Sequence, residues 1–299
     1  MFKKLVALEP TGMLEYGIRH LQQTAEEVII YEDVPKTQED IISRIGDADA
    51  ILVNYTSTYP KEVLSACPQL KYVGMCCSLY SEESANVDIR YAKTRGITVL
   101  GIRDYGDKGV VEYVLYEAIG LLHGYGKFKW ADYPHELTDI KVGMVGMGTT
   151  GSMIAEAMQL LGADISYFAR SIKPEKEARG MHFKPLHELL KESEIICLGL
   201  NKNVILLNET EFKIMSGKKM LFNTSIGPGH DIEALKKWLA EDPEHYFFCD
   251  TIGAAGSEDV LQFPNAIRKG PPGAGGTTKE LERLTDKVLA NIDSYLNNA

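Results

Sequence analysis

Short apolar runs recur along this chain, and between most consecutive pairs lies a segment with helical spacing. No other feature constrains the fold as much. A strand buried on both faces of a parallel sheet needs a brief, continuous apolar run, and its crossover needs a helix. The first series of runs lies at 4–8, 28–31, 50–54, 70–75 and 97–100, with helices predicted over 13–24, 38–45 and 61–66. The second lies at 141–145, 164–168, 194–198, 219–222 and 246–249, with helices predicted over 152–161, 186–191 and 232–239. Residues 109–122 are apolar at helical spacing and predict a buried helix between the two series, followed by a polar and aromatic connection over 127–138. Residues 264–276 are rich in Gly and Pro and predict a loop, and 279–296 predict an amphipathic terminal helix. The fold class that follows is α/β, with two doubly wound parallel-sheet lobes.

Charge and composition narrow the partners. Across 299 residues, 32 basic side chains face 42 acidic ones, a net charge of −10 without a Lys/Arg cluster. That balance argues against nucleic acid or an anionic membrane as the main partner. An apolar share of 44% argues against wholesale disorder, and no apolar stretch approaches the ~20 residues of a membrane span. The N-terminus has two lysines but only a short apolar run before Glu9 and Pro10, which does not read as a signal peptide. Five cysteines without a CxxC pair fit a reducing, cytoplasmic setting and predict neither a disulfide framework nor a metal site.

The strongest chemical signal is residues 140–151, IKVGMVGMGTTG. Gly146, Gly148 and Gly151 supply G-x-G-x-x-G between an apolar strand and a helical run, the context of a Rossmann dinucleotide loop. The first glycine permits the tight turn, the second lets backbone approach a pyrophosphate, and the third lets helix and strand pack closely. The N-terminus of the helical run that follows offers unpaired N–H groups to the anion, with Thr149 and Thr150 as further candidate contacts. A glycine-rich turn that binds nothing is the competing reading. The next strand ends in Phe168-Ala169-Arg170-Ser171, with Lys173 beyond, where NAD-binding units place a carboxylate on the ribose 2′-hydroxyl. Arg170, Ser171 and Lys173 suit a 2′-phosphate instead, so NADP is expected over NAD, although a solvated basic turn has the same composition.

Several motifs in order give the chain a wider resemblance: ADAILVN at 48–54, Asn86-Val87-Asp88, Arg95-Gly96-Ile97, VVE at 110–112, the glycine loop, LHELL at 186–190, Asn223-Thr224-Ser225, DIEAL at 231–235 and Pro264-Asn265. In these the sequence resembles the D-isomer-specific 2-hydroxyacid dehydrogenases, which include phosphoglycerate, glyoxylate and hydroxypyruvate reductases. The resemblance implies a flavodoxin-like substrate lobe from residues 1–101 and 279–299. A Rossmann lobe over 102–278 would be inserted in it, with the active site in the cleft and a homodimer formed through the inserted lobe. It also implies hydride transfer between a nicotinamide cofactor and a 2-oxoacid or 2-hydroxyacid, a small molecule, with Leu200, Thr224 and Asp250 among the cofactor contacts.

The family's catalytic arginine, glutamate and histidine each have a locatable position here, and each is replaced. Ile226 follows Asn-Thr-Ser, Ala255 lies beyond the strand-end aspartate, and Pro271 or Pro272 stands where the histidine belongs. The substrate loop, 76–85 (CCSLYSEESA), is longer and lacks glycine. Because a cooperating catalytic set is non-additive, its loss predicts an atypical or defective reductase, or a dinucleotide-binding sensor without turnover. Lys269, Tyr105 and Lys108 are candidate substitutes; Arg103 shares the loop with Tyr105, and each also reads as an ordinary loop residue. His230 precedes Asp231, a predicted helix N-cap, and reads as a cap-loop histidine.

Overall fold

The first series of apolar runs forms a five-stranded parallel sheet: β1 (Phe2–Ala7), β2 (Ala25–Ile30), β3 (Ala50–Val53), β4 (Tyr72–Ser78) and β5 (Thr98–Ile102), in the spatial order β2-β1-β3-β4-β5. The computed structural model describes residues 1–201 and 204–298. Crossovers are α1 (Glu15–Thr24), α2 (Gln38–Ile45), α3 (Lys61–Ala66) and α4 (Ile89–Thr94). β3 is buried along its whole length. On one face Val6, Ile51 and Val73 pack with Ile41, Ile45 and Val63 of α2 and α3. Each such side chain contributes roughly 1.5–3 kcal/mol by leaving water.

The second series forms a seven-stranded parallel sheet of β6 (Lys141–Val145), β7 (Asp164–Phe168), β8 (His182–Phe183), β9 (Ile195–Leu198), β10 (Lys219–Asn223), β11 (His245–Cys249) and β12 (Ala266–Arg268). Their order is β12-β11-β10-β9-β6-β7-β8. The helices of this part are α5 (Asp107–His123), α6 (Thr149–Leu160), α7 (Pro174–Glu177), α8 (Leu186–Glu192), α9 (Glu209–Ile214), α10 (Ile232–Glu241) and α11 (Ile252–Ala255). The final helix, α12 (Thr278–Asn298), returns to the first sheet, where Leu284, Val288 and Ile292 cover Leu5, Leu52 and Tyr72. Residues 1–105 with this helix make one compact unit and residues 106–277 another.

Several boundaries differ from the sequence expectation. β2 begins at Ala25, directly after α1, and takes in Glu26 and Glu27. It is an edge strand, so both glutamates stay exposed, and Glu27 pairs with Lys4 of β1 at 3.3 Å. α6 starts three residues earlier than expected, with Gly148 as its N-cap. Residues 264–276 are not loop throughout, because Ala266–Arg268 pair with β11 as an edge strand. Within 76–85, Cys76, Cys77 and Ser78 belong to β4, and Glu82–Ser84 form a single 3-10 turn. The Asp231 cap stands as predicted: its carboxylate accepts from the Ala234 N–H at 2.8 Å.

Candidate functional site

In the larger unit the strand order reverses between β6 and β9, and the segments that leave these strands carry the glycines. At such a switch point the carboxyl ends of parallel strands open a crevice for ligands. Gly146 has φ +103°, and a Cβ there would lie 2.3 Å from the carbonyl oxygen of Gly199. A Cβ on Gly151 would meet the Gly146 carbonyl oxygen at 2.5 Å. Gly148 is different: nothing lies within 4 Å of the place its Cβ would take. Two glycines are thus demanded by the protein's own backbone, while the middle one leaves an open face. α6 begins there with no capping side chain, so the N–H groups of its first turn are left for an anion. A dinucleotide diphosphate fits this cradle.

The neighbouring contacts hold the loop in place. The Gly146 N–H donates to the Phe168 carbonyl at 2.8 Å, and the Gly199 N–H to that of Val145 at 2.9 Å. Thr149 is exposed at the helix start. Thr150 spends its hydroxyl on the carboxylate of Asp107, in the first turn of α5. Sequence reasoning missed Asp107, and no local pattern ties it to a loop more than forty residues away. Beyond β7, Arg170 and Ser171 are exposed, and Arg170 forms no ion pair among the described residues. Lys173 is half-buried, and its N–H donates to the Tyr167 hydroxyl at 2.7 Å.

The ends of β9, β10 and β11 form a second group. The Leu200 N–H donates to Ser225 Oγ at 3.2 Å, and the Ser225 N–H to Asn223 Oδ1 at 3.1 Å. The amide of buried Asn223 donates in turn to the Ala254 carbonyl at 2.8 Å. Thr224 is half-buried, and Ile226 is 57% exposed. Asp250 is only 8% exposed; its Oδ2 accepts from the Ala274 N–H at 3.0 Å, while Oδ1 has no partner. Burial pushes its pKa up from the usual carboxylate value. An orphaned, buried carboxylate oxygen calls for a donor from a ligand.

The positions expected to carry catalysis are placed as follows. Ala255 is buried at the end of α11, where its carbonyl accepts from His230 Nε2 at 3.2 Å. His230 is itself fully buried, edge-on to Phe247, and burial lowers its pKa to about 4. Pro271 is exposed, and Lys269 Nζ donates to the Pro272 carbonyl at 2.6 Å. Lys108 is exposed on α5. Tyr105 lies in the smaller unit, half-buried, and burial pushes its hydroxyl up to about 12. Among the described residues, no three or more His, Cys, Asp or Glu side chains converge as metal ligands, and no helix is long and apolar enough to cross a membrane.

In the smaller unit the sheet's switch point lies between β1 and β3. Glu9, buried just past β1, occupies it: its carboxylate accepts from the Asn54 N–H and the Tyr59 hydroxyl, each at 2.9 Å, and from the hydroxyls of Thr56 and Ser57. That crevice is filled by the protein's own anion.

Residues 6–299 match the model of the D-isomer specific 2-hydroxyacid dehydrogenase catalytic domain. The chain belongs to this family. Among family relatives, a glyoxylate reductase from Thermococcus onnurineus is 30% identical over 76% of this chain and 73% of its own length. A glyoxylate reductase from Pyrococcus furiosus is 27% identical over 94% and 89%. A hydroxypyruvate reductase from Blautia hydrogenotrophica is 29% identical over 68% and 67%. Among solved structures, a D-lactate dehydrogenase from Aquifex aeolicus complexed with NAD and lactic acid is similar with a TM-score of 0.78. It shares 19% identity and covers 99% of this chain and 96% of its own. An acyclic imino acid reductase in complex with NADPH and D-Arg has a TM-score of 0.80 at 22% identity, covering 99% and 97%. These last two likenesses show a shared fold.

Proposed function

We propose that this chain is an NADP-preferring reductase of 2-oxoacid-like carbonyl compounds that works with a substituted catalytic set. The open face at Gly148, at the start of α6 and at the switch point, carries the reading. The glyoxylate and hydroxypyruvate reductases among its relatives support the substrate class. When bound, the cofactor supplies hydride to a carbonyl carbon. The chain's own part is to bind and to orient. Backbone N–H groups at 149–151 receive the diphosphate, and the unpaired Arg170 guanidinium with Ser171 and Lys173 receives a 2′-phosphate. Leu200 and Thr224 border the nucleotide, and Asp250 Oδ1 accepts from an amide donor.

Ile226, Ala255 and Pro271 hold neither charge nor transferable proton, so glyoxylate, pyruvate and hydroxypyruvate are expected to turn over slowly. Tyr105, whose hydroxyl keeps its proton at neutral pH, Lys108 and Lys269 are the candidate substitutes for the missing proton-transfer groups. A homodimer formed through the larger unit belongs to the same reading.

Fluorescence titration with NADPH and NADH tests it. We expect NADPH to bind at least about 10-fold tighter, the worth of a charge-assisted phosphate contact. Arg170→Ala should erase that preference, and Gly148→Val should abolish binding of both. Absence of nucleotide binding would refute the reading; binding without reduction of any 2-oxoacid in a panel would make the chain a dinucleotide sensor.

A further inference from the structure

We infer that Arg103 is the cation that holds the substrate's carboxylate, at the β4–β5 end of the smaller unit's sheet. The inference rests on the reading above, in which the substrate carries a carboxylate beside its carbonyl; Ile226 offers that carboxylate nothing.

Arg103 directly follows β5. Its Nε donates to the Leu79 carbonyl and its Nη2 to the Tyr80 carbonyl at 2.8 Å, with the guanidinium carbon 5.5 Å from the centre of the Tyr80 ring. Both acceptors are neutral, and Arg103 forms no ion pair among the described residues. Glu82 pairs with Lys93 and Arg90, and Glu83 with Arg90, while exposed Asp104, next in the chain, forms no ion pair with Arg103 among the described residues. The side chain is exposed. A guanidinium has five N–H donors in a rigid fork, and the contacts to Leu79 and Tyr80 leave the charge uncompensated and donors unused. Such a fork matches a carboxylate.

The surrounding backbone is fixed as a receptor's must be. Gly101 is required where it stands, because a Cβ there would lie 2.3 Å from Cβ of Leu79. That close approach binds the loop after β4 to β5, and the Leu79 N–H donates to the Ile102 carbonyl at 3.1 Å. α12 holds the same segment from below, with Asn291 donating to the Gly101 carbonyl at 3.1 Å and Arg283 to that of Tyr105 at 2.7 Å. Asp104 has φ +55°, in the left-handed region. At the β1–β3 end of the same sheet the buried Glu9 carboxylate takes the donors of Asn54, Thr56, Ser57 and Tyr59.

Calorimetry with oxamate and its neutral counterpart oxamide tests the inference, on NADPH-saturated and on nucleotide-free protein. Arg103→Gln should weaken oxamate binding by about 10- to 100-fold, with Arg103→Lys in between. Oxamide binding and NADPH affinity should stay unchanged. A residue that only clamped the loop would move both probes together and lower the melting temperature. Equal oxamate affinity in Arg103→Gln and the parent protein would overturn the inference, and so would failure of the parent's NADPH complex to bind oxamate. Should NADPH itself not bind, the functional reading falls, and the nucleotide-free oxamate titration still decides on Arg103.

Discussion

His230 is a base enclosed where a proton is unwelcome. Its Nε2 meets the Ala255 carbonyl, its Nδ1 has no partner, and the ring packs against Phe247. As pH falls through the ordinary histidine value near 6.5, the unfolded chain takes up a proton that the folded ring refuses until about 4. Stability is therefore lost across that window, by up to roughly 3 kcal/mol at 1.4 kcal/mol per unit. Buried Asp250 works in the opposite sense: its raised pKa favours the folded state as pH falls. Urea midpoints at pH 7.5 and 4.5 should show a smaller acid loss in His230→Val than in the parent. Equal losses would contradict this assignment. The sequence placed His230 beside a helix cap, but only the packed structure reveals that it is sealed.

At the scale of elements, two helix starts meet. α6 turns its positive end toward the open face at Gly148, and α5 brings Asp107 to the hydroxyl of Thr150 in the same first turn. A carboxylate there competes with a diphosphate for the same dipole. Asp107→Asn keeps an oxygen for Thr150 and removes the charge, so NADPH should bind about 3- to 10-fold more tightly, as a nucleotide titration would show. Weaker binding would mean that the charged bond is needed to shape the loop. α2 and α3 were legible to the residue because caps and stops flank them: Thr37 accepts from the Asp40 N–H, and Cys67-Pro68 ends α3. β8 and β12, of two and three residues, are too short to show a period, and their neighbours in the sheet define them.

For the whole molecule, the question is what covers the apolar surface of the larger unit. α5 carries apolar residues on all sides: Val114 and Ala118 are buried, Val110 and Ile119 are half-buried, and Tyr116 is 73% exposed. At the end of α6, Leu160 is 87% exposed. A second copy of the chain would cover such groups. Light scattering at micromolar concentration should give twice the chain mass, and Tyr116→Asp with Leu160→Asp should return it to one. A monomeric parent protein would refute the homodimer.

The sequence by itself determined the α/β class, the longer strands and helices of both series and the glycine loop, because period and turn chemistry are local properties written in consecutive residues. The tertiary structure decided the rest. It alone set the strand order that puts the loop at a switch point, the solvent-open face of Gly148, the orphaned oxygen of Asp250, the Asp107–Thr150 bond and the uncompensated guanidinium of Arg103. These depend on residues distant in the chain meeting in space, and burial and partnership have no signature in a local pattern.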